Sequence, residues 1–191
     1  MSKTKIKAPV TYYLTLSQVC PSTHCRAGEP TYFLEKLHNA RTGQDFSLHP
    51  VAEIIDHGCT SVYCETIREK KLHTIRANYD FWARRFEKIE RGEAVLSIRE
   101  WVGKPYGKGS TQREIARLTR DDGIGLQRLT VAGTCIGYHP TFVDGVSVPS
   151  DVIARNDGLS EQDWRNWFAS YKVTGPLAVI QFTKFRYKYE K

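Results

Sequence analysis

The sequence contains no apolar run approaching the roughly 20 residues that a membrane-spanning helix needs. No secretory leader is expected either. The start, Met1 to Lys7, is basic, but Thr11, Thr15 and Ser17 break the apolar segment behind it, and no cleavage-type site follows. These absences point to the cytosol. No repeat, linker or low-complexity tract divides the 191 residues. Residues 1–191 therefore read as a single domain, within the usual span of roughly 50–250 residues. Nor is a disulfide framework expected: Cys20, Cys25, Cys59, Cys64 and Cys135 are an odd set behind a start that lacks a leader pattern. The pairs Cys20/Cys25 and Cys59/Cys64 share a spacing and have His24 and His57 nearby, yet the tight knuckle turns of structural zinc sites are not evident. Neither a metal nor a cofactor is expected.

What is present is a globular composition, 40% apolar and 26% charged, which argues against wholesale disorder. Net charge is +7 and unevenly placed. Lys and Arg balance Asp and Glu at six to six over residues 1–67 and at eight to eight over 121–191, whereas residues 68–120 hold fourteen against seven. The excess in the middle favours a polyanionic partner, most commonly one carrying phosphates, and also suits a plain solvated face.

That middle segment contains Lys70-Lys71-Leu72-His73-Thr74-Ile75-Arg76. In an extended strand Lys71, His73 and Ile75 share one face and Leu72, Thr74 and Arg76 the other. The strand must bend or end for Lys71 to meet Thr74. An amine beside a hydroxyl is a pairing that activates nucleophiles, and a lysine-rich strand also suits a sheet edge that must resist pairing.

Around this stretch the pattern predicts strands over Val10–Val19, Ser61–Cys64, Lys70–Arg76, Glu93–Trp101, Gln112–Thr119, Leu126–Tyr138 and Leu177–Tyr187. It predicts helices from Pro30 to about Ala40, over Val51–His57 and over Phe81–Glu90, the last capped by Asn78 or Asp80. Val146–Ala154 suits a short strand or helix. A further helix follows Ser160, with Trp164, Trp167, Phe168 and Tyr171 on one face, and its tryptophans read as core. Residues 1–8 read as a basic tail. Strands outnumber helices without regular alternation, so the expected class is α+β, a small mixed β-barrel flanked by helices.

A second cluster comprises Arg99, Trp101, Lys104, Tyr106 and Lys108. Aromatic faces stack on unpaired bases while neighbouring cations hold phosphates; the same residues also suit a packed Trp101 and a solvated lysine loop.

The Lys70–Arg76 stretch, the strand that begins at Gly92-Glu93 and the later Asp157-Gly158 before a capped helix resemble the ASCH domain of the PUA-like superfamily of small β-barrels. The resemblance covers about residues 30–187, with 41–68 as an insertion. In small bacterial members that deacetylate N-acetylcytidine, the motif lysine activates the threonine and a downstream glutamate serves as acid or base. The resemblance puts these roles on Lys71, Thr74 and Asp157, the last one methylene shorter than the family's glutamate. Arg76 would steady developing negative charge, and His73 would join Arg76 and the second cluster in ligand contact.

Three functions follow as expectations. The first is an ASCH/PUA-like module that binds RNA or a nucleoside or nucleotide in a basic cleft. The second is a hydrolase cutting an amide or phosphodiester at the same cleft. The third is an interaction protein without a nucleic-acid ligand.

Overall fold

The structure, a computed structural model, describes residues 8–55, 59–133 and 135–189. In chain order its elements are β1 (Val10–Thr15), α1 (Phe33–Thr42), β2 (Phe46–Ile55), β3 (Cys59–Ile67), β4 (His73–Arg76), α2 (Tyr79–Glu90), β5 (Ala94–Val102), β6 (Thr111–Leu118), β7 (Gly125–Val131), β8 (Thr141–Val143), β9 (Val146–Val148), α3 (Ser150–Asn156), α4 (Glu161–Phe168) and β10 (Leu177–Gln181).

The strands form three sheets. β1 lies parallel to β5, which pairs antiparallel with β6. A five-stranded antiparallel sheet runs in the order β4-β10-β7-β8-β9, and β2 and β3 make a separate ribbon. The fold is thus α+β. No ladder joins one sheet to another among the described residues, so the expected barrel is not closed by strand pairing.

β10 shows why the molecule needs both larger sheets. All five of its residues are buried, and they alternate between two cores. Ala178 and Ile180 face a cluster with Leu14, Phe33, Trp82, Phe86 and Ile98, whereas Leu177 and Val179 face Ile75, Leu129, Ile153 and Trp164. A short uninterrupted apolar run is the sequence mark of such a strand.

Helix boundaries follow their caps. Asn78 adopts φ 61° and its Oδ1 accepts the Phe81 amide at 3.1 Å, so α2 starts at Tyr79. Trp82, Phe86 and Ile89 then face the core, while Phe81 stays exposed beneath the Arg85 guanidinium. Ser160 Oγ accepts the Asp163 amide at 3.0 Å and starts α4.

Several sequence expectations are corrected. Val51–His57 is not helical through its described part: β2 runs to Ile55 and pairs with β3, in keeping with the β-branched Val51, Ile54 and Ile55. The rest of that segment, 56–58, lies outside the described residues, as do 1–7 of the expected tail. The ribbon β2–β3 makes up most of the segment read as an insertion. α1 opens at Phe33 rather than Pro30, and β4 opens at His73, leaving Lys71 before the strand. The strand expected over Leu126–Tyr138 ends at Val131, and the one over Leu177–Tyr187 ends at Gln181. α4 ends at Phe168, short of Tyr171. Val146–Ala154 divides into a strand and a helix, β9 and α3.

Candidate functional site

Lys71 reaches the interior because the chain before β4 is held from both sides. Its amide donates to the Lys36 carbonyl of α1 at 2.9 Å, and the next amide, Leu72, donates to Asn156 at the end of α3. Asp157 caps α3, and Gly158 follows at φ 80°, a left-handed conformation that turns the chain toward α4. Lys36 Nζ donates to the Gly158 carbonyl at 2.9 Å and so ties α1 to that turn.

These supports bring the Lys71 ammonium onto Asp157. Nζ donates to the carboxylate Oδ1 at 2.5 Å and to the backbone carbonyl at 2.6 Å. It also stands 3.8 Å from the centre of the Phe33 ring. Lys71 and Asp157 are only 1% and 4% exposed. Burial pulls the Lys71 pKa down to about 8, with Asp157 working against it. Burial likewise raises the Asp157 pKa, opposed by Lys71 and Arg76. The Trp164 indole favours the carboxylate electrostatically without reaching hydrogen-bond geometry.

Thr74 is buried on β4 and accepts a 2.8 Å hydrogen bond from Arg76 through Oγ1. Arg76 also donates to the carbonyls of Ile75 and Thr15, each at 2.8 Å, the latter linking the two larger sheets. Desolvation lowers the Arg76 pKa, with Asp157 opposing. No hydrogen bond joins Lys71 to Thr74. The expected amine–hydroxyl contact is replaced by two pairs, Lys71 with Asp157 and Thr74 with Arg76.

All four residues line one hollow of about 160 Å³ together with Leu16, Phe33, Leu159, Trp167 and Phe168. An adjoining hollow of about 290 Å³ shares Arg76, Trp167 and Phe168 and continues past Ser170 and Tyr171. Trp167, read from its spacing as core, is half-buried and packs on Phe33 at 5.6 Å between ring centres. Trp164 is the core residue expected. Phe33 and Trp167 were missed as site residues because each looks like ordinary helix-face packing.

His73 lies elsewhere. The strand alternation carries it away from Thr74, to a fully buried position where Nε2 meets the Tyr187 hydroxyl at 2.8 Å. Burial depresses its pKa well below the usual histidine value, and Lys71 adds to this. It does not line the cleft. Arg99, Trp101, Lys104, Tyr106 and Lys108 do not line it either; they occupy β5 and the loop after it.

A larger cavity, about 580 Å³, lies across Gly158 and Leu159 from the cleft. Its four cations, Lys36, Arg68, Lys70 and Arg155, are largely offset by three carboxylates, Glu69, Asp151 and Glu161, so it offers no concentrated charge. His24, Cys25 and Asp163 bring ligand-type atoms within 4.8 Å of one another. However, His24 Nδ1 accepts the Arg26 amide and Nε2 faces the Asp163 carbonyl at 2.9 Å, so both nitrogens are engaged. Arg26 additionally neutralises Asp163 at 2.9 Å. The side chains of Cys59 and Cys64 lie outside the described residues. Among the described residues no helix is long and apolar enough to cross a membrane.

No family model, curated protein or solved structure matches this chain.

Proposed function

We propose that the cleft binds a single nucleoside unit, free or within RNA, and that the chain is an ASCH-type domain with a PUA-like arrangement of its strands. One observation carries this reading: Lys71, Thr74, Arg76 and Asp157 share a small hollow with the aromatic rings of Phe33, Trp167 and Phe168. Unpaired bases are recognised by stacking on such rings and by hydrogen bonds along their edges. The hollow is smaller than the roughly 300–1,000 Å³ of pockets that take drug-sized ligands, which suits one small ring system. Arg76 and Lys71 supply donors, and Asp157 and Thr74 supply acceptors.

A second reading, hydrolysis of an amide on a modified base, is favoured by the Lys71–Asp157 pair. An amine with a pKa near 8 is available as a neutral base around physiological pH. Thr74 would attack the amide carbonyl while Lys71 takes the hydroxyl proton, and Asp157 would relay that proton to the leaving amine as the C–N bond breaks. A water deprotonated by Lys71 would then cleave the Thr74 ester to release the carboxylic acid. For that chemistry Thr74 must exchange its Arg76 contact for Lys71. Incubation with a panel of acylated nucleosides and short RNAs, scored for both retention and product, tests the two readings together. Retention without product supports binding; release of the acyl group supports hydrolysis; neither outcome removes both.

A further inference from the structure

The sheet β1-β5-β6 turns one face to the core through Leu14, Leu96 and Ile98. Strand alternation sends Tyr13, Thr15, Arg99 and Trp101 to the opposite face. The parallel register places Tyr13 opposite Ser97 and Thr15 opposite Arg99, so these residues form neighbouring rows. The Arg99 guanidinium lies 4.2 Å from the Tyr13 ring centre, and Tyr13 is 53% exposed. Trp101 meets Tyr106 at 4.9 Å between ring centres, and Tyr106 is 89% exposed. Tyr106 is held outward at φ 60°, a conformation that disfavours most side chains.

Charge on this strip is available to a ligand. Lys104 and Lys108 flank Tyr106 and are exposed, whereas Arg99 hydrogen-bonds Ser97 Oγ at 3.1 Å and is partly offset by Glu114, the carboxylate that Ser97 also bonds. The nearby Arg113 and Arg117 are instead committed to Glu100 and Glu114.

The strip also leads to the cleft. Leu16 donates its amide to the Arg99 carbonyl at 2.8 Å, and Leu16 and Ser17 line the hollow. Thr15, beside Arg99 in the register, accepts through its carbonyl from Arg76. Exposed rings, cations and the cleft mouth thus follow one another across the outer face of β5 and β1.

We propose that Tyr13, Arg99, Trp101, Lys104, Tyr106 and Lys108 form a stacking track for single-stranded nucleic acid, one nucleotide of which enters the cleft. This rests on the nucleoside reading above and narrows it to a base within a single strand. Rings stack on any unpaired base and cations follow the backbone, whereas a duplex hides its base faces.

The test is fluorescence anisotropy with labelled single-stranded RNA and DNA of about 12 nucleotides, and with the corresponding duplex. Cytidine binding to the cleft is followed in parallel by NMR. Tyr106→Ala and Trp101→Ala should each weaken single-strand binding about 5- to 160-fold while cytidine binding stays unchanged. Lys104→Gln with Lys108→Gln should flatten the salt dependence, log Kd against log salt, by about 1.4 if each contacts one phosphate. The RNA and DNA arms show whether the 2′-hydroxyl contributes. Because Tyr106 and the two lysines are exposed, those variants remain informative if Trp101→Ala unfolds. The track is overturned if cytidine binds but the single strand binds no tighter, if the duplex binds as well as the single strand, or if the Tyr106 and lysine variants leave affinity within about two-fold. Failure of both cytidine and the single strands to bind overturns the cleft reading itself.

Discussion

Lys71 and Asp157 are separated by 86 residues of sequence, yet Nζ lies 2.5 Å from Oδ1 with both side chains almost wholly buried at the base of the hollow. Neither group is cheap to bury, and each is tolerable only because the other is there. The contact joins the chain before β4 to the turn between α3 and α4, the two segments that bring the cleft's polar groups together.

Lys71→Met leaves the Asp157 carboxyl without its partner and is expected to cost about 3–5 kcal/mol. Adding Asp157→Leu should recover most of that loss, since an apolar pair of similar volume removes both desolvation penalties. Urea unfolding of the two single variants and the double variant measures the coupling. A Lys71→Met loss below about 1 kcal/mol would mean that the pair is not buried as described.

Gly158 offers a second handle on the same contact. At φ 80° an added methyl group strains the backbone by about 1–2 kcal/mol. The new Cβ would also stand 3.3 Å from Lys71 Cβ and 3.4 Å from Lys36 Cδ. Gly158→Ala should lower stability by at least the backbone amount and disturb the Lys71 resonances in NMR spectra. Wild-type stability with unshifted Lys71 signals would contradict this placement.

His73 sets an acid limit. In the unfolded chain it titrates near 6.5, while burial holds its folded pKa well below that value. The unfolded state therefore binds the extra proton first as the pH falls. The neutral imidazole contributes stability that is present above pH 6.5 and is lost progressively below it, at up to about 1.4 kcal/mol per pH unit. His73→Gln should remove that slope between pH 6.5 and 5. An unchanged acid profile in His73→Gln would place the sensitivity elsewhere.

If the cleft hydrolyses an acylated base, the rate should rise with pH through about 8 as Lys71 loses its proton. Lys71→Arg keeps a cation that cannot deprotonate, so it should abolish turnover and retain binding. A pH-independent rate, or an active Lys71→Arg, would remove Lys71 as the base.

The residues of the central stretch were legible in the sequence because Lys71, Thr74 and Arg76 lie so close together that one break in the strand suffices to gather them. The strand starts at His73 and supplies that break. Asp157 was reached through the resemblance, and the structure places it against Lys71. The internal pairing was not legible. That Arg76 would take the Thr74 hydroxyl depends on the Thr15 carbonyl, which a separate sheet delivers. The aromatic wall was hidden for a related reason: Phe33 and Trp167 have the spacing of core residues, and only the meeting of α1 with α4 opens a hollow between them. His73 lies away from the hollow because strand alternation points it at Tyr187. In β2, ribbon pairing overrode the helix expected from Val51.

The most direct measurement is an NMR titration of the isotope-labelled protein with cytidine and N-acetylcytidine. The account predicts saturable shifts centred on Thr74, Arg76 and Trp167 that weaken in Thr74→Val. Absence of saturable binding, or shifts confined to the β7-β8-β9 side of the molecule, would contradict it.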